Sequence, residues 1–190
     1  MLDLNFLSVL DEKAEFLYRF SDDIWAHPET AFTEFHAAAR YCAVLRSEGF
    51  AVTEGLAGIP TAFSGRFGSG RPVIGILAEF DALSGLSQEG GLTEQRSAGG
   101  DCGHGCGHNL LGMAAPGHSW QTVTQGVMPL AHKMTLYAAK SLAALGAELM
   151  VNAGLLAKAK QEHRRLVGPE GYVCPIPQGV RPRSMESLHK

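Results

Sequence analysis

Four side chains able to bind a metal ion alternate with glycine in the run GDCGHGCGHN (100–109): Cys102, His104, Cys106 and His108. Thiolate and imidazole are the ligands that zinc and similar borderline divalent ions prefer. In a straight strand all four would share one face about 6.5–7 Å apart, too far for every one to reach a single ion at ~2.0–2.3 Å. The glycine spacers let the loop curl, and one or two of the four are expected to become direct ligands. Two other chemistries fit the same residues. Cys102 and Cys106 could pair as a disulfide, or Cys106 could act as a nucleophile with His104 or His108 as its base. A thiol enzyme needs one Cys and one His rather than four alternating ligands, so the metal reading stands first.

A second candidate lies at Glu79-Phe80-Asp81, which ends the apolar run PVIGILAEF (72–80). Residues i and i+2 of a strand project to the same side, so both carboxylates can face the loop that follows. One of them can bind metal or hold the far nitrogen of a ligating histidine. His118, after Pro116-Gly117, is a lone histidine and by itself a weak candidate.

The elements that must position these groups follow from periodicity. Phe16, Leu17, Phe20 and Ile24 at helical spacing predict a helix from Glu12 to about Trp25, stopped by His27-Pro28-Glu29. Ala37, Ala38, Cys42 and Leu45 predict a second helix over Thr33 to Glu48, with Gly49 as its C-cap. Residues 50–54, 60–67 and 72–80 read as strands. The Gly- and Ser-rich stretch 81–105 is a long loop of the kind that serves a site. Residues 130–166 predict two long helices with a break near Gly146 or Asn152-Ala153-Gly154. A proline-containing tail runs from Gly168 onward. Helices preceding paired strands give an α/β fold class.

Charged residues make up 18% and the formal net charge is −3, with no basic patch beyond short runs near the C-terminus. This argues against nucleic acid as a partner. No apolar stretch is read as reaching the ~20 residues needed to cross a bilayer. The acidic start Met1-Leu2-Asp3-Leu4 is unlike a signal peptide, so no membrane partner and a cytoplasmic location are expected.

The segments 25–39 (WAHPETAFTEFHAAA), 76–88 (ILAEFDALSGLSQ), 103–112 (GHGCGHNLLG) and 117–126 (GHSWQTVTQG), with CPIPQGVRP near the C-terminus, together resemble the metal-dependent amidohydrolases of aminoacylase and carboxypeptidase G type. Within that family the similarity points to the aminobenzoyl-glutamate hydrolases. The resemblance implies a mixed sheet flanked by helices, part of a zinc-exopeptidase-like catalytic domain. It further implies one or two divalent ions, zinc or manganese, and an N-acyl amino acid or dipeptide as the small-molecule partner. Carried onto this chain, Cys106, His108 and His118 are the implied metal ligands and Asp81 the orienting carboxylate, with Glu79 and His104 beside them.

The departures are as specific. The family carries a Glu-Glu pair, a further histidine and a lid domain where this chain has only Met113 to Gly117. No Glu-Glu pair occurs in the chain, so no general base is identified. Ser84 stands where the family usually has proline. The expected organisation is therefore an N-terminal catalytic part (1–112), a junction in place of the lid (113–117), and a C-terminal helical part with tail (118–190). The absent strands would leave sheet edges uncovered, which predicts self-association. An amidohydrolase of weak or no activity and a non-catalytic metal-binding remnant are both consistent with this pattern.

Overall fold

A computed structural model describes residues 4–109 and 117–175. They fall into two compact units, divided between Ala144 and Leu145. The first holds every candidate site residue.

Its N-terminal part is helical: a 3-10 turn (Asn5–Leu7), α1 (Ser8–Glu12), α2 (Ala14–Ala26) and α3 (Phe35–Ser47). Of the apolar stripe expected on α2, Ile24 is fully buried while Phe16 remains 44% exposed. The stripe on α3 buries Ala37, Ala38 and Cys42 as its spacing implies. No side chain of the residue preceding α3 caps it. Instead Glu29 reaches forward, and its carboxylate accepts from the amides of His36 (2.9 Å) and Ala37 (3.0 Å). That satisfies donors a helix start leaves unpaired and places negative charge at the positive end of the dipole. At the other end Gly49 donates to Arg46 O and Phe50 to Leu45 O, the paired bonds of a glycine C-cap.

Strands β1 (Ala51–Glu54) and β2 (Phe63–Arg66) form an antiparallel hairpin with Ala51 opposite Arg66 and Glu54 opposite Phe63. Strands β3 (Leu83–Ser84) and β4 (Cys102–Gly103) form a second antiparallel pair. Among the described residues these two ribbons, with one isolated parallel bridge between Thr30 and Ala82, replace the single mixed sheet expected. The chain mixes helix and strand, but the run 72–80 is not a strand. It has no ladder partner, and Val73, Ile76 and Leu77 are 69, 65 and 100% exposed. The reason is physical: apolar β-branched residues favour a strand only where a neighbour supplies hydrogen bonds and a packing face. Only its end is anchored, where Phe80 stacks on Tyr41 and Phe63 at centroid distances of 5.2 and 5.7 Å.

Helix α4 (Trp120–Gln125) has no counterpart among the expected elements. Ser119 caps it by accepting from the Thr122 amide at 3.3 Å. Trp25 Nε1 donates to Val123 O at 2.8 Å and so joins α2 to α4. Helix α5 (Pro129–Val151) passes through Gly146 unbroken, and the break before α6 (Ala153–Val167) falls at Asn152, whose side chain accepts from the Leu155 amide. Helix α5, 23 residues long, contains an 18-residue window of mean hydropathy 1.2, which is long and apolar enough to cross a bilayer by length and composition only. It nevertheless pairs with the N-terminal helices through Lys140–Asp11 (2.6 Å) and His132–Asp22 (2.7 Å). The second unit contains the end of α5, α6 and residues 168–175, which form neither helix nor strand. The apolar piece 110–115, the junction apart from Gly117, and the tail beyond residue 175 lie outside the described residues.

The first unit's core is small, centred on Ile24 (0% exposed) and Val123 (2%). Ile24→Ala should therefore cost about 2–5 kcal/mol of unfolding free energy through transfer and cavity terms. Leu130→Ala, at a residue 62% exposed, should change it by no more than about 0.5 kcal/mol. Urea denaturation of the two variants checks the contrast.

Candidate metal centre

The centre is assembled by short backbone contacts on either side of Asp81. The Ala82 amide donates to Glu29 O at 2.7 Å, which docks this part of the chain on the α2–α3 connection. The β3–β4 pair then brings residues 102–108 back across it, closed by the Gly85 amide on Asp101 O at 2.7 Å. Cys102 completes the attachment, its thiol donating to Pro28 O at 2.9 Å. Two glycine spacers have distinct reasons. A side chain at Gly103 would stand 2.2 Å from the Leu86 carbonyl oxygen, a backbone atom that cannot give way. Gly107 has φ 71°, the left-handed turn that swings His108 back toward Asp81.

His108 Nδ1 lies 2.8 Å from Asp81 Oδ1 and 3.0 Å from Asp81 O. Both partners are acceptors, so Nδ1 carries the proton and Nε2 presents a lone pair. This carboxylate–histidine arrangement is the one that orients an imidazole toward a metal. The ligand atoms of Glu79, Asp81 and His108 lie within 4.8 Å of one another. With Asp81 bonded to Nδ1 and orienting the ring, the imidazole Nε2 and the Glu79 carboxylate are the donors this group offers to zinc or manganese.

The remaining candidates are placed differently. Cys106 stands outside that group of three, close enough that the carboxylates act on it: burial first, then Asp81 and Glu79, push its thiol above the usual range. His118 is also outside the group and exposed; its backbone is what reaches the loop, the amide donating to Gly105 O at 2.7 Å with φ 58°. His104 is 2% exposed, and its Nε2 donates to Ile24 O at 3.0 Å. Burial, opposed by that carbonyl, lowers its pKa and keeps it neutral, with Nδ1 a buried lone pair lacking a hydrogen-bond partner. All four cysteines are free, so the Cys102–Cys106 disulfide is not formed. A nucleophilic Cys106 is also disfavoured, since an activated thiol has a lowered pKa and this one is raised.

Sequence reasoning missed the groups that hold the centre in place. Ser21 Oγ donates to Asn109 O at 2.7 Å and Asn109 Nδ2 donates to Gly126 O at 3.2 Å, tying the end of the loop to α2 and α4. Asn109 directly follows the last ligand candidate, but neither its type nor its spacing points to Gly126.

Comparison with known proteins adds independent information. Over 96 residues the chain is 53% identical to one of the polypeptides of p-aminobenzoyl-glutamate hydrolase from Escherichia coli (strain K12), covering 50% of this chain and 20% of that protein. The match makes the chain similar to part of a named amidohydrolase. Human Xaa-Arg dipeptidase is 31% identical over 124 residues, 58% of this chain and 25% of its own length. The chain thus spans about a fifth to a quarter of the length of the curated proteins it matches. No protein-family profile matches it.

Three measurements test this geometry. Asp81→Asn should weaken Zn²⁺ or Mn²⁺ binding by about 10–100-fold while leaving the circular dichroism spectrum unchanged. Burial, the first cause in each case, raises the thiols of Cys42, Cys102 and Cys106 above their ordinary value. A raised pKa means less thiolate at pH 8, so alkylation followed by mass spectrometry should label exposed Cys174 first. The three raised thiols also hold their protons longer than the unfolded chain does, so stability should fall as pH rises above about 8.5.

Proposed function

We propose that this chain binds one or two divalent ions, zinc or manganese, at the Glu79–Asp81–His108 cluster, and that its reaction is hydrolysis of the amide bond of an N-acyl amino acid or dipeptide. The observation that supports it most is the Asp81–His108 hydrogen bond inside a carboxylate cluster, in a chain half of which matches an aminobenzoyl-glutamate hydrolase. The relatives' names supply the substrates to try: aminobenzoyl-glutamate and dipeptides ending in arginine.

A divalent ion held there would supply Lewis acidity toward the amide carbonyl and make water a better nucleophile. The chain's own residues do the rest. Asp81 keeps the His108 proton on Nδ1 and thereby commits Nε2 to the ion. Cys106 and His118, on the loop and on the residue hydrogen-bonded to it, are the further ligands in this reading. His104 holds the loop against the end of α2 through its hydrogen bond to Ile24 O. Glu79 is the exposed carboxylate of the cluster and stands beside these ligands.

A second reading, a metal-binding remnant without turnover, is favoured by the lack of a Glu-Glu pair anywhere in the chain. The metal-loaded protein should hydrolyse one of the two substrate types, and Cys106→Ser, His118→Ala and His108→Ala should each lower that rate by about 100-fold or more. Stoichiometric metal binding with no hydrolysis would leave only the remnant reading, and no binding would remove both. We also propose that copies associate through the uncovered run 72–80. Leu77→Lys, at a fully exposed position, should then shift the particle mass in light scattering toward the monomer; identical masses for the variant and the parent protein argue against that interface.

A further inference from the structure

A second set of metal-binding side chains meets where α2 ends and α3 begins. Asp23 and His27 are four residues apart at the end of α2, and His36 lies in the first turn of α3. The two imidazole rings stack with centroids 4.1 Å apart and an interplanar angle of 27°. Asp23 lies against both: His27 Nδ1 is 2.8 Å from its backbone O and 3.4 Å from its Oδ1, so an ion on that nitrogen displaces the backbone hydrogen bond, and Asp23 Oδ2 is 3.4 Å from His36 Nε2. The ligand atoms of the three residues fall within 4.8 Å of one another. We propose that Asp23, His27 and His36 form a second cation site, which takes one borderline divalent ion of the Zn²⁺, Ni²⁺ or Cu²⁺ class.

Three features make this a site rather than a chance meeting of polar surface groups. The spacing is built in, because Glu29 fixes the start of α3 through the amides of His36 and Ala37, and the Ala82 amide pins Glu29's own carbonyl. Two rings stacked this closely repel each other if both are protonated, whereas one divalent ion can be shared by two neutral imidazoles and a carboxylate. The C-terminal end of α2, where His27 sits, favours positive charge. The imidazole pair selects borderline ions over Mg²⁺ and Ca²⁺, which prefer all-oxygen sites. The His27 and His36 side chains are 53 and 34% exposed, so an ion can enter and water can complete its coordination.

Arg40 competes for this place. Its Nε donates to Asp23 Oδ2 at 2.6 Å. Burial works against ionisation of Asp23, but Arg40 and then His36 outweigh it, and the carboxyl stays below its usual range. The guanidinium is therefore the positive charge paired with the carboxylate, and an ion binding there must displace or share it.

The test uses the full chain carrying Cys106→Ser, His108→Ala and Cys174→Ser, so that the first centre and the exposed thiol are removed. Cu²⁺ titrated at pH 7 and followed by electron paramagnetic resonance should bind at one equivalent with a two-nitrogen signature, and Zn²⁺ in calorimetry should compete for it. His27→Asn together with His36→Asn should lower the affinity by about 100-fold. Arg40→Gln should tighten it by about 3–10-fold, because a competing charge is gone. A purely structural ion-pair network predicts no tightening. The proposal is overturned by the absence of saturable binding, by binding that survives the double histidine substitution, or by an Arg40→Gln variant that binds no more tightly. None of these readouts depends on hydrolysis, so they are separable from the fate of the first centre.

Discussion

Glu29 is the constraint on which the rest of the site depends. Its carboxylate closes the open start of α3, and its backbone carbonyl receives the Ala82 amide. One residue therefore sets the helix that carries the buried Ala37–Cys42 stripe and the segment that carries Asp81. A charge-assisted hydrogen bond of this kind contributes about 1.5–3 kcal/mol, a sizeable share of the roughly 5–15 kcal/mol by which a folded domain typically outweighs its unfolded chain. The position of Asp81 is thus inherited from a helix cap about fifty residues earlier in the chain.

Much of the local structure was legible because it is decided locally. The stripes of α2 and α3, the glycine C-cap at Gly49, the hairpin of residues 51–66 and the break at Asn152 all follow from spacing and turn chemistry within a few residues. The run 72–80 was not legible, since its composition reports only that it would make a good strand. Whether it becomes one depends on a neighbour that composition does not mention. Gly146 looked like a helix breaker, yet the rest of α5 absorbs it.

The site shows the same division. Alternation of Cys and His with glycine marked the loop, and Glu79 and Asp81 do meet His108 there, although the strand expected to align them does not form. What could not be read was the allotment of tasks among similar side chains. His104 and His108 differ by four positions, but one sits against Ile24 O in the core and the other against Asp81. Cys102 likewise donates its thiol to Pro28 O and lies in the field of Asp101 and Glu29, whereas Cys106 lies in the field of Asp81 and Glu79. Burial and the nearest acceptor assign these tasks, and both come from distant parts of the chain.

The uncovered run 72–80 ends at the two carboxylates of the centre, Glu79 and Asp81. Asp81 is held on the folded side by Ala82 and His108, while Glu79 belongs to the free side. Ordering Glu79 around an ion therefore carries an entropic cost that a pairing strand would already have met. Strand pairing and ion binding would then be thermodynamically linked, each strengthening the other by the same factor. Affinity at this centre would become a property of protein concentration as well as of ligand chemistry.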